Sequence, residues 1–252
     1  MTETFSVQVT HDTTAKSRPR SPAGLLRPAL PLRAVGTLDE RWRIGKGSAF
    51  RGGLVSGAKM VSTITPLPKW SAGAMKLPDG AKTGLVSTFL EADDEAWLLA
   101  LRWPSDLPAG TTILLGNMTG VSGDGGWGLF FNATALKIST FGLTTVTRTL
   151  TNPAGFTVGN ILAVGIALTA SSRIVQIRGA AATTDTGGTR VKSATRPIAL
   201  GEYHYTVGSA HYPVEIFAVE RHAAALDAAA LDAALEVFAE DCAAQGVPVY
   251  GG

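Results

Sequence analysis

From about residue 58 to residue 220 the chain repeats one pattern: short runs of β-branched and apolar residues, each closed within a few positions by Gly, Pro, Asp or Asn. Runs of that length, bounded by turn formers, specify strands joined by turns. The predicted strands are Ala58–Thr65, Gly84–Glu91, Trp97–Trp103, Thr111–Asn117, Trp127–Asn132, Ala135–Thr140, Thr144–Leu150, Ile161–Thr169, Arg173–Arg178, Tyr205–Gly208 and Val214–Val219. Parallel partners need a long, usually helical crossover, and no helical period separates these runs. The pattern therefore predicts an all-β fold, an antiparallel two-sheet jelly-roll sandwich, over about residues 58–220. Leu98–Arg102 and Ile161–Leu168 are apolar at nearly every position, as in central strands covered on both faces. Arg173–Arg178 alternates only in part, so one face of its sheet is expected to meet solvent.

The carboxyl-terminal end follows a different period. Residues 226–245 contain no Gly or Pro, and Leu231, Leu235, Phe238 and Cys242 recur at helical spacing to make one apolar stripe. Asp227 is placed to accept from the first-turn amides, and Gly246 followed by Pro248 supplies the stop. One α-helix is expected there, packed by its stripe on the sandwich. Cys242 is the single cysteine, which excludes an intrachain disulfide and any cysteine-built zinc site. On that stripe it reads as a small core residue.

Residues 1–57 read as an extended arm and linker. Residues 1–53 hold nine basic and four acidic residues, a balance of +5, against −3 for the remainder. Arg18, Arg20, Arg27 and Arg33 are interspersed with Pro19, Pro22, Pro28 and Pro31, without helical or strand period. The basic residues are not interleaved with aromatics and no helix is there to enter a groove, so nucleic acid is not the expected partner. Trp42, Ile44 and Phe50 lie in a Gly-containing stretch too short for a core of its own. They are expected to bury either as a strap on the sandwich or against another chain, and the second reading makes Trp42 and Phe50 anchors of an oligomer. The start Met1–Thr10 lacks a basic region followed by an apolar one, so a secretory signal is not expected. No run approaches the roughly 18 apolar residues of a membrane-spanning helix.

The segment Val214–Leu231, an apolar strand, a polar turn and then a Leu-Asp helix start, resembles the closing segment of concanavalin A-like jelly-roll domains of the laminin-G and pentraxin kind. Gly84–Glu91, Trp97–Trp103, Thr111–Asn117 and Gly125–Phe131 are similar to that family's opening strands, so the likeness extends over about residues 70–247. A basic arm on one such domain is also similar to tailed-phage virion proteins. That likeness implies a non-enzymatic decoration, fibre or spike component that contacts host glycans, docks on other virion proteins through its arm and assembles as a homo-oligomer, a trimer by analogy. It implies synthesis in a host cytoplasm and residence in the virion, without a cofactor.

Three segments carry chemistry. Glu91-Ala-Asp-Asp-Glu95 resembles the Glu-x-Asp-x-Glu strand of laminarinase-like glycoside hydrolases, which implies Glu91 as nucleophile, Asp93 as modulator and Glu95 as acid/base. Asp94 stands where that strand buries an apolar residue, so a solvent-facing hairpin turn is the preferred reading and no catalytic residue is assigned. In Val121–Gly128, glycines flank Asp124 and let a ligand come close, while Trp127 either stacks on a sugar or packs inward as Leu129 suggests. Asp124 alone offers too few oxygens for calcium. Tyr203, His204, Tyr205, His211 and Tyr212 form two aromatic groups with polar tips, suited to glycan contact, an interface or loop packing. A free lectin is the third functional reading.

Overall fold

The computed structural model describes residues 38–44, 52–71, 73–77, 82–105, 110–132, 135–206 and 213–251. Among them, two antiparallel sheets face each other. The larger runs β12 (Thr183–Thr186), β11 (Ser172–Ile177), β10 (Ile161–Leu168), β5 (Glu95–Arg102), β14 (Glu215–His222), β3 (Ala74–Lys76) and β2 (Lys69–Ser71), with β1 (Leu38–Trp42) also paired to β14. The smaller runs β4 (Gly84–Val86), β13 (Ala199–Gly201), β6 (Thr111–Gly116), β7 (Trp127–Asn132), β8 (Ala135–Thr140) and β9 (Thr147–Thr149). One helix, α1 (Ala228–Ala244), covers the outer face of the larger sheet, against β10, β5 and β11. The two-sheet antiparallel sandwich with one carboxyl-terminal helix is the fold expected from the turn spacing. No helix among the described residues is long and apolar enough to cross a membrane.

The near-continuous apolar strands β5 and β10 lie side by side in the middle of the larger sheet, covered on both faces. Side chains alternate along a strand, so Trp97, Leu99 and Leu101 enter the core between the sheets, together with Leu162, Val164 and Ile166. Ala96, Leu98, Ala100, Ala163 and Ala167 face α1 instead. Most of these positions are alanines because the helix lies directly on them. At Gly165 a Cβ would come within 2.8 Å of Leu231 Cδ1. Leu231, Leu235, Phe238 and Cys242 are all buried there, and a fully buried Leu or Phe contributes about 1.5–3 kcal/mol. The helix starts where Asp227 Oδ1 accepts from the Ala230 amide at 2.8 Å, and ends where Gly246 turns with φ +82°.

The boundary of the arm needs correction. Residues 38–42, assigned from sequence to the arm, form β1, and Trp42 and Ile44 are fully buried in the sandwich core. The Trp42 ring stacks on Trp97, 6.3 Å between centroids and 4° from parallel, and its N–H donates to the Ala58 carbonyl at 2.8 Å. Arg41, one residue earlier, pairs with Glu220 of β14 and Asp241 of α1 on the opposite side of the sheet. Trp42 is thus a strap within its own chain, not a free anchor. The sequence hid this strand because its charged members are buried by partners outside it: Arg41 by the distant Glu220 and Asp241, Glu40 by the main-chain N–H groups of Val55 and Ser56 and the Ser56 hydroxyl. Phe50, Arg18, Arg20, Arg27 and Arg33 lie outside the described residues.

Other departures have local causes. The expected strand Ala58–Thr65 is reduced to isolated bridges, Lys59 to Gly52 and Val61 to Val86. The expected strand Tyr205–Gly208 is absent at its described residues, Tyr205 and Thr206, and the ladder runs through Ala199–Gly201 instead. β12, Thr-Thr-Asp-Thr, has no apolar alternation to signal it and is held by pairing with β11.

Candidate functional site

Glu95 opens β5, and Glu91 and Asp93 precede it in the connecting loop, so the three carboxylates do not share one strand. Glu95 is fully buried. It accepts from the Trp97 indole N–H at 3.0 Å and from that of Trp127 at 3.3 Å, and lies 3.5 Å from Arg190 Nη2. The same Nη2 donates to Glu91 Oε1 at 2.7 Å, while Glu91 Oε2 accepts from the Asn117 amide and the Ser193 main-chain N–H, each at 3.1 Å. Arg190 also donates to the carbonyls of Ala92, Asp93 and Thr169. Burial pushes the Glu95 carboxyl up to about 7, opposed by the Trp97 hydrogen bond and the Arg190 charge.

This overturns the solvent-turn reading for Glu91 and Glu95, which are sealed inside the sandwich. It holds for Asp93, which is exposed, bonded to Lys192 Nζ at 2.6 Å and held below the usual carboxylate range by that bond. Arg190 was missed because it lies 99 residues from Glu91 in the chain. A run of acids does not announce the distant cation that lets it bury.

Of the two readings of Trp127, inward packing holds and its assignment to a glycan site is corrected. The residue begins β7 and is fully buried, its ring 6.4 Å from that of Trp97, and so is not placed to stack on a ligand.

The remaining residues converge on the smaller sheet. Arg196 Nε donates to the Asn117 carbonyl at 2.9 Å and its Nη2 to the Asp124 carbonyl at 2.6 Å. Asp124 Oδ2 accepts from Thr119 Oγ1 at 2.8 Å, and the Thr119 carbonyl accepts from the Thr206 amide at 2.9 Å. These bonds tie the loop 117–126, residues 196–197 and the segment 203–206 into one surface. The loop needs its glycines. Gly126 has φ +94°, and a Cβ on it would lie 2.5 Å from Asn117 Oδ1.

Tyr205 is half-buried against Ile113, Met118 and Phe130, a small apolar group on the outer face of the smaller sheet. The His204 ring N–H at Nε2 donates to the Pro197 carbonyl at 2.8 Å, and burial lowers its pKa with help from nearby Arg196 and Lys82. Tyr203 packs edge-on to His204 at 5.0 Å, its hydroxyl 2.5 Å from Thr63 Oγ1. Asp124, Tyr203, His204 and Tyr205 are therefore brought together, with Arg196 as the organiser that sequence reasoning missed. His211 and Tyr212 lie outside the described residues. The surface offers ring faces, hydroxyls and a carboxylate, the chemistry of noncovalent recognition.

Among the described residues no group of three His, Cys, Asp or Glu is placed to hold a metal ion. The Cys242 thiol is buried and pushed up to about 12, far from a nucleophile's range.

No family model matches the chain, and no curated protein matches it. Solved structures do. A Trypanosoma rangeli sialidase in complex with sialic acid superimposes with a TM-score of 0.59 at 16% identity, covering 83% of this chain and 34% of the sialidase. The receptor-binding domain of botulinum neurotoxin type G gives 0.57 at 11% identity, covering 81% of this chain and 52% of that one. The serotype D binding domain gives 0.56 at 10%. This chain thus spans about a third to a half of the lengths it matches. The likeness is one of fold: an antiparallel jelly-roll-like β-sandwich of the architecture found in those proteins.

Proposed function

We propose that the sandwich is a non-catalytic module that contacts glycans through the surface formed by residues 117–126, 196–197 and 203–206. The observation that carries this reading is the use made of the acids. Glu91 and Glu95 share one guanidinium inside the core, whereas a retaining glycosidase presents its carboxyl pair in an open cleft, about 5–5.5 Å apart. The half-buried rings of Tyr203, His204 and Tyr205 and the exposed Asp124 gather elsewhere, on the smaller sheet. Two of the similar structures are named for sialic acid and for receptor binding. A glycan array tests the reading. Binding should be lost in Tyr203→Ala and His204→Ala with the fold intact, and retention in both variants would overturn it.

The finer proposal is that this module belongs to a virion structural protein, is joined to other virion proteins by its basic, proline-rich amino-terminal segment and is presented as a homo-oligomer. Its support is the +5 balance of residues 1–53 beside the −3 remainder. Since β1 begins at Leu38, removing residues 1–36 should leave the sandwich folded and abolish incorporation into particles. Incorporation of the truncated protein would contradict the anchoring role.

A further inference from the structure

At the end of β5 opposite Glu95, a recess of about 470 Å³ opens beside the last turn of α1. Gly73, Arg102, Gly159, Asn160, Phe217 and Gly246 are among its lining residues. Its size falls in the roughly 300–1,000 Å³ range of small-molecule sites. β5 has eight residues, so at ~3.3 Å per residue the recess lies about 25 Å from the Glu95 end of that strand.

Three of the walls are glycines. Gly73, Gly159 and Gly246 have φ +84°, +92° and +82°, and at none of them would a Cβ meet any atom within 4 Å. The backbone turns there leave open space in place of side chains. Arg102 lies over the Phe217 ring at 5.5 Å, donates from Nε to Glu215 at 2.7 Å and from Nη1 to the Gly159 carbonyl at 2.9 Å. None of these bonds uses Nη2. Asn160 is held by its main chain, its N–H to the Thr157 carbonyl and its carbonyl to the Trp103 N–H, and none of the described hydrogen bonds uses its carboxamide.

The electrostatics decide the class of ligand. Glu215 neutralises Arg102, and the carboxyl-terminal end of α1 adds partial negative charge, so an anion gains nothing there. The guanidinium in turn opposes a cation. A neutral molecule with several hydroxyls meets both demands, donating to wall carbonyls and accepting from Arg102 and Asn160, with its C–H face toward Ile161 and Val247. We propose that this recess binds one neutral sugar ring or ring polyol. The site is independent of the surface at residues 203–206.

Amide chemical shifts of the full chain, titrated with methyl β-glucopyranoside, methyl α-mannopyranoside and, as a charged control, glucuronate, test the proposal. Saturable shifts should appear at Gly159, Asn160, Gly246 and Val247 with a neutral probe. Arg102→Ala and Asn160→Ala should each weaken binding at least 10-fold, and the second leaves every main-chain bond of the loop in place. Absence of shifts at these amides with both neutral probes, unchanged affinity in both variants, or tighter binding of glucuronate would overturn it. Shifts confined to Thr119 and Thr206 would also overturn it, while leaving the other surface supported.

Discussion

The Trp127 indole N–H of the smaller sheet donates to Glu95 Oε1 of the larger one at 3.3 Å, from one sheet to the other. With the Trp97 N–H and Arg190, this makes a carboxyl group into a pin between the sheets. Its stability contribution depends on pH. Since burial raises the Glu95 pKa to about 7 from an ordinary 4.5, the native state holds the proton more tightly than the unfolded chain. The contribution is fully present below about pH 4.5 and is lost as pH rises through about 7. Thermal melts of wild type and Glu95→Gln across that window should show the variant gaining relative to wild type as pH rises, on the order of 3 kcal/mol in all. A constant difference would contradict the raised Glu95 pKa.

Trp42 ties the amino-terminal strand into the core, so Trp42→Ala should destabilise the sandwich by about 3–5 kcal/mol in chemical denaturation. Removing residues 1–36 should leave the midpoint nearly unchanged. Unchanged stability in Trp42→Ala would mean that β1 does not belong to the folded body.

The close seat of α1 makes a third prediction. Gly165→Val places two methyl groups where Leu231 already lies 2.8 Å from a Cβ, and overpacking of that kind costs about 1–3 kcal/mol. Combining it with Leu231→Ala should recover part of the loss, a coupling readable in a double-mutant cycle.

What the sequence made legible follows from local rules. Trp127–Asn132 and Ala135–Thr140 match β7 and β8 residue for residue, because each is a short run of apolar and β-branched residues bounded in the sequence by turn formers. The helix stripe and its Asp227 cap are equally local. The site was less legible because its organisers act at long range. Arg190 lies 99 residues from Glu91, and Arg196 lies 79 from Asn117. The type of Trp127 suggested a ligand platform, while its position at the head of a core strand decided its place.

Binding of a glycan identified on the array, measured by isothermal titration and followed by mass analysis of the recovered glycan, tests the central claim most directly. The account predicts that the glycan is recovered intact, that Tyr205→Ala weakens binding about 10-fold or more, and that Glu95→Gln leaves the affinity unchanged. A shortened glycan whose cleavage disappears in Glu95→Gln, or full affinity in Tyr205→Ala, would contradict it.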